Sequence, residues 1–190
     1  MPWIGLDDTD TLSGGCTTYE FHLLFQHLNQ LSNEGFPWNV CDPRLVRLWP
    51  FASNRTRGNA ALALKIEIIE KDEELLFKIL EKWYRDLNIK ISTLEIIQSK
   101  HSERLQFPPE PCLLYLRKQN PDFYWSAVRH EVSLNSAFSL VSEQKGSKYW
   151  ASKGKMKGLI GALAAISWCG NNDFTWELTA YRDEHMYSKI

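Results

Sequence analysis

The chain has 190 residues, 44% apolar and 24% charged, with a formal net charge of −1. That length and balance suit one soluble domain with a full hydrophobic core and exclude a disordered or fibrous chain. The near-neutral charge excludes a uniformly basic, autonomous nucleic-acid binder, and four scattered cysteines (Cys16, Cys41, Cys112, Cys169) exclude a Cys-x-x-Cys zinc site or a disulfide framework.

The chain opens on Met1-Pro2-Trp3, without a basic n-region, so no signal peptide is expected. No apolar run reaches the roughly 18 residues of a membrane span. The expected setting is cytoplasmic, with no membrane partner. Residues 2–6 read as a short buried strand that runs into the acidic turn Asp7–Asp10. Thr11–Gly15 is a loop, and Thr17 or Thr18 caps a helix whose apolar residues are Tyr19, Phe21, Leu23, Leu24, Leu28 and Leu31. Asn33–Pro43 is a turn-rich connection. Arg44–Trp49 alternates as a half-buried strand, Pro50–Gly58 is a second loop, and Ala60–Ile69 is a strand. Asp72 caps a helix to about Leu87, carrying Leu75, Leu76, Ile79, Leu80 and Trp83, and Ile89–Ile97 reads as another strand.

From Ser99 to Pro111 the pattern fades among Pro108, Pro109 and Pro111. Cys112–Lys118 and Asp122–Glu131 read as short helices, Leu134–Val141 as strand or helix, and Lys145–Lys157 as a loop. Gly158–Ile166 is a small-residue helix able to approach a sheet closely, and Phe174–Tyr181 is a final alternating strand. The expected fold is α+β: a ferredoxin-like β-α-β-β-α-β core, an α-rich variable insertion over 99–145, and a C-terminal helix and strand. Its helices pack on a mixed or antiparallel sheet, and 1–190 forms a single domain.

The chemistry concentrates early. Asp7, Asp8 and Asp10 place three carboxylates within four residues, and ionised neighbours repel unless a cation sits among them. Mg²⁺ suits such hard oxygen ligands, and the end of an apolar strand is a common ligand position. A solvated, helix-capping acidic turn is the plain alternative. Gly14, Gly15, Cys16, Thr17 and Thr18 then open a helix, where backbone N–H groups and the helix dipole favour phosphate. No Gly-Lys-Ser/Thr follows, so this is not a Walker A loop. Arg55 and Arg57 flank Thr56 and could clamp phosphates; alone, they read equally as a solvated turn. Lys153, Lys155 and Lys157 lead into Gly158 at a helix start, another anion-attracting arrangement or a surface loop. His22, His27, His101, His130 and His185 show no metal spacing.

Several motifs occur in order: Gly5-Leu6-Asp7-Asp8-Thr9-Asp10, Gly15–Tyr19, Pro43–Leu48, Thr56–Asn59, Gly158–Ile166 and Glu177–Arg182. Together they resemble the archaeal 2-agmatinylcytidine synthetase family, which modifies an isoleucine tRNA. The resemblance implies an N-terminal kinase-like domain that uses ATP and agmatine at a tRNA cytidine. It implies Asp7, Asp8 and Asp10 as Mg²⁺-binding and catalytic carboxylates, and Thr17 as a phosphoacceptor. It also supports Arg57 and the 153–158 loop as nucleotide contacts. Arg55 stands where the family usually has lysine.

Full-length members continue into a second ferredoxin-like domain, an OB-fold and a zinc ribbon. With the chain ending at Ile190, the expectation is that tRNA is engaged only weakly or through a partner protein, and that agmatine or another amine is the second substrate. The alternatives are a non-catalytic nucleotide- or polyamine-binding module and a stand-alone kinase with a small-molecule acceptor.

Overall fold

The structure is a computed structural model that describes residues 1–56, 58–98, 105–152 and 156–170. Its elements run β1 (Trp3–Asp7), α1 (Thr17–Asn33), β2 (Trp38–Arg47), β3 (Ala60–Ile68), α2 (Glu73–Ser92), β4 (Cys112–Leu116), α3 (Pro121–Arg129), α4 (Leu134–Ser142), β5 (Lys148–Ala151) and α5 (Gly158–Ser167). The five strands form one sheet in the order β2-β3-β1-β4-β5, every neighbouring pair antiparallel. The α+β class, the antiparallel sheet and the β-α-β-β-α-β order of the sequence reading all hold.

Three local assignments are corrected. Ile89–Ile97 is not a strand: α2 continues to Ser92, because Leu87 and Ile91 extend the buried stripe of Leu76, Leu80 and Tyr84. Cys112–Lys118 is not a helix. Its first five residues form β4, an interior strand buried along its whole length, so the expected α-rich insertion supplies a core strand. The 145–157 loop contains the edge strand β5. In addition, β2 begins at Trp38, ahead of Arg44, and its register shifts between Cys41 and Arg44, where Asp42 adopts φ 52° beside Pro43. Leu134–Ser142 resolves as helix. The expected strand at 174–181 lies outside the described residues.

Strand alternation divides the core in two. Ile4, Leu6, Leu62, Leu64, Ile66, Leu113 and Tyr115 face α1 and α2. Trp3, Ala61, Ala63, Cys112, Leu114 and Leu116 face α3, α4 and α5. The second face carries small residues, and α5 approaches closely. A Cβ on Gly5 would lie 2.6 Å from the Ala162 carbonyl oxygen, and one on Gly158 would lie 2.7 Å from that of Asp7. This close approach sets the N-terminal turn of α5 directly beside the end of β1.

Candidate active site

The central strand β1 ends at Asp7, and the chain turns sharply there because Asp8 adopts φ 62°. Asp7 points toward α5: a Cβ on Gly161 would sit 1.8 Å from Asp7 Oδ2, so only glycine leaves room for this carboxylate. Burial, then the charge of Asp8, push the Asp7 carboxyl well above the usual range. Asp8 Oδ2 accepts the Glu110 N–H at 3.0 Å. Burial outweighs that bond and, with the charges of Glu110 and Asp10, raises the Asp8 pKa to about 6.

Asp10 reaches back to the start of α1. Its Oδ1 accepts both the Thr17 backbone N–H and the Thr17 hydroxyl, the latter at 2.8 Å. Cys16 at the N-cap position makes no side-chain cap, so Asp10 performs that task from a distance. The Asp10 backbone is held in turn by the Thr56 hydroxyl, which donates to its carbonyl at 3.1 Å. Thr9, fully buried, directs its N–H and hydroxyl to Thr17 Oγ1 at 3.3 and 3.1 Å.

These groups form one end of a cleft of about 930 Å³, counting its open mouth. Asp7, Asp8, Asp10 and Thr17 meet the β2–β3 loop (Trp49, Arg55, Thr56, Asn59), the end of α3 (His130, Glu131) and the α5 start (Lys157, Gly161). The Trp49 N–H donates to the Ala127 carbonyl at 3.1 Å, tying the loop to α3. Of the residues expected from sequence, Asp7, Asp8, Asp10, Thr17, Arg55 and Lys157 therefore converge. Arg57, Lys153 and Lys155 lie outside the described residues.

The glycine loop is not part of the cleft lining. The N–H groups of Ser13 and Gly14 donate to Thr11 Oγ1, and the Ser13 hydroxyl donates to the Glu95 carbonyl at 2.6 Å. Gly15 is required by its backbone: φ is 69°, and a Cβ would lie 2.3 Å from the Thr9 carbonyl oxygen. Cys16 and Thr18 begin α1 without lining the cleft. At α5, the Lys157 N–H donates to Glu110 Oε2 at 3.2 Å and the Gly158 N–H to the Glu110 carbonyl at 3.1 Å. Glu110 thus occupies this helix start, and its Oε1 also lies 3.7 Å from the Lys157 ammonium, so an anion here would share that lysine with Glu110.

Sequence reasoning missed Glu110, His130, Glu131 and Trp49 as site residues, while Asn59 closes the Thr56–Asn59 motif that it picked out. Glu110 lies in a proline-rich stretch with no recognisable pattern. The position of His130 is visible only once the Trp49–Ala127 contact joins the loop to α3.

The donor set fits a hard cation. Mg²⁺ commonly takes one or two protein carboxylates and completes its shell with phosphate oxygens and water. Burial is the main cause of the raised Asp7 and Asp8 carboxyls, and the carboxylate repulsion that adds to it is what a cation relieves. Among the described residues no group of three His, Cys, Asp or Glu side chains forms a ready-made metal cage. No described helix is long and apolar enough to cross a membrane.

Comparison with known proteins bears on this site. The TiaS TCKD domain model matches residues 3–153, and the TiaS FLD domain model matches residues 156–189. The isoleucine-tRNA 2-agmatinylcytidine synthetase TiaS of Pyrococcus horikoshii is 34% identical over 98% of this chain and 40% of that protein. That of Thermoplasma volcanium is 32% identical over 96% of this chain and 42% of that protein. The chain thus spans about 40% of the length of the curated relatives it matches. A crystal structure of TiaS in complex with its isoleucine tRNA and ATP superposes with a TM-score of 0.69 at 26% identity, covering 97% of this chain and 40% of that one. Because that relative is a complex with tRNA, the family does not support the expectation of only weak tRNA engagement. By the match of most of its length to the TCKD domain model, the chain belongs to the TiaS family, whose N-terminal part it matches.

Proposed function

We propose that this chain is the ATP-using catalytic part of a tRNA-modifying enzyme, with a kinase-like site in the cleft at the end of β1. Asp7, Asp8 and Asp10 serve as the metal-binding carboxylates, and bound Mg²⁺ supplies charge neutralisation on the β- and γ-phosphates. Lys157 and Arg55 contact phosphate oxygens, and Arg57, Lys153 and Lys155 are assigned the same role by the family resemblance. Gly14, Gly15, Cys16 and Thr18 set the start of α1, and Gly158 admits α5 against β1. Thr17 accepts a phosphoryl group, and Asp10 takes its proton. A tRNA cytidine is the substrate of the whole reaction, with agmatine or another amine as the second substrate. Residues 1–190 act as one unit, since α5 packs on β1, β3 and β4 even though the matched domain models divide between 153 and 156.

The observation that carries this reading is the 2.8 Å hydrogen bond from Thr17 Oγ1 to Asp10 Oδ1, at a cleft lined by two further aspartates. A hydroxyl already donating to a carboxylate is arranged for general-base activation. Incubation with γ-labelled ATP and Mg²⁺ tests it. Label is expected on Thr17 by mass spectrometry, absent in Thr17→Ala and in Asp8→Asn. Folded protein that neither hydrolyses ATP nor becomes labelled would overturn the reading, and ATP binding without either event would reassign the chain as a nucleotide-binding module.

A further inference from the structure

We infer that Thr9 is a positioning residue that fixes the direction in which the Thr17 hydroxyl gives up its proton; this rests on the reading of Thr17 as acceptor. A threonine hydroxyl has one proton to donate and two lone pairs. Around Thr17 Oγ1 the structure places one acceptor, Asp10 Oδ1 at 2.8 Å, and two donors, the Thr9 N–H at 3.3 Å and the Thr9 hydroxyl at 3.1 Å. With both donors on the oxygen, its own proton has one remaining direction, toward Asp10. Thr9 is 0% exposed and cannot exchange this task with water. The Gly15 carbonyl, 3.3 Å away, is a second acceptor for the one Thr9 hydroxyl proton, and the donation to Thr17 Oγ1 at 3.1 Å is the shorter of the two.

The other end of the bond is fixed independently. Asp10 accepts the Thr17 N–H, and its backbone is held by Thr56. Thr9 therefore sets the rotation of the Thr17 hydroxyl, while Asp10 is placed by other contacts. In the transfer step the Thr17 Oγ1–Pγ bond forms as the bond from Pγ to the β–γ bridging oxygen breaks. ADP leaves with that electron pair, and the Thr17 proton passes to Asp10 Oδ1. Without the Thr9 hydroxyl, the Thr17 proton gains a second orientation and the productive one is less populated. A modest misorientation of a reacting group commonly costs about tenfold or more in rate.

The test uses the full 190-residue chain, γ-labelled ATP and Mg²⁺, with label quantified at Thr17. Thr9→Val keeps the shape and the backbone N–H and removes only the hydroxyl. The expected result is an about tenfold slower labelling rate at saturating ATP, an unchanged KM for ATP, and recovery to within about threefold in Thr9→Ser. Labelling of Thr9→Val at the wild-type rate, or a KM effect without a rate effect, overturns the inference and leaves Thr17 as acceptor. Absence of label on Thr17 in the wild type overturns the acceptor reading and this inference with it. If Thr9→Val loses the wild-type circular dichroism, Thr9→Ala against Thr9→Ser makes the same comparison: equal rates overturn the inference, and a faster Thr9→Ser supports it.

Discussion

On one face of the sheet, Leu24, Leu28, Leu76, Leu80 and Tyr84 fill the space between the strands and helices α1 and α2. On the other, Gly5, Ala61 and Ala63 meet α5 at its own small residues, Gly158, Gly161 and Ala162. The first face gains stability from side-chain volume. The second gives up volume so that a helix backbone can lie against β1, which brings Lys157 and Gly161 to Asp7. The difference teaches where this fold stores stability and where it stores geometry. Substitutions on the two faces should therefore fail in different ways.

The largest expected effect is on the large-residue face. Leu80→Ala leaves a cavity among fully buried neighbours and should cost about 2–5 kcal/mol by denaturant titration, with ATP affinity unchanged in the folded fraction. A comparable loss of ATP affinity would break the division between faces.

Gly161→Ala should cost about 1–3 kcal/mol by overpacking, and here ATP affinity should fall too, because the new methyl displaces the Asp7 carboxylate. In an Asp7→Ala background the same change should be neutral or slightly stabilising, since alanine favours helix by up to about 1 kcal/mol over glycine. A full additive cost in the double variant would mean that Asp7 is not what the glycine accommodates.

The third effect is a dependence on pH. The Asp8 carboxyl titrates at about 6 in the fold against 3.8 ordinarily, so the folded chain holds this proton more tightly. The Asp8 contribution to stability should be lost as pH rises from about 4 to about 6, and the raised Asp7 carboxyl adds a loss in the same direction. Asp8→Asn keeps an acceptor for the Glu110 N–H and should flatten this decline, stabilising the metal-free chain on the order of 1–2 kcal/mol at neutral pH. Urea titrations at two pH values on either side of this range check it, and parallel curves for the two proteins would sink it. The smallest effect is at the exposed Lys82–Asp86 pair on the outer side of α2. Lys82→Ala should leave the melting temperature unchanged within error.

The legible parts of the fold are those with a clear period or a clear stop. Ala60–Ile68 and Thr17–Asn33 carry such signals, and the sequence locates them nearly to their ends. Cys112–Leu116 reads wrongly as helix because a strand buried on both faces is apolar at every position and shows no alternation. Ile89 and Ile91 suggest a strand by β-branching, but Ile91 completes the buried stripe of α2, and packing overrides propensity. At the site, the aspartates and Thr17 are readable because strand, turn and helix start adjoin in sequence. Glu110, His130 and Glu131 are not, because their neighbours in space lie tens of residues away in sequence. The glycine loop reads as a phosphate cradle, yet Ser13 and Gly14 give their N–H groups to Thr11, a local preference invisible in composition.

Arg44 carries a consequence of its own. Its guanidinium lies between the rings of Trp3 and Trp168, 4.1 and 4.8 Å from their centroids, and donates to the Trp168 carbonyl at 2.8 Å. Trp168 caps the end of α5, while Trp3 stands at the start of the strand that ends at Asp7. In mechanical terms this is a rivet. It pins the C-terminal end of α5 to β1 and β2 through one side chain, and Gln119 donates to the same Trp168 carbonyl at 2.9 Å. The helix end is thus fastened to the same strand that carries the aspartates.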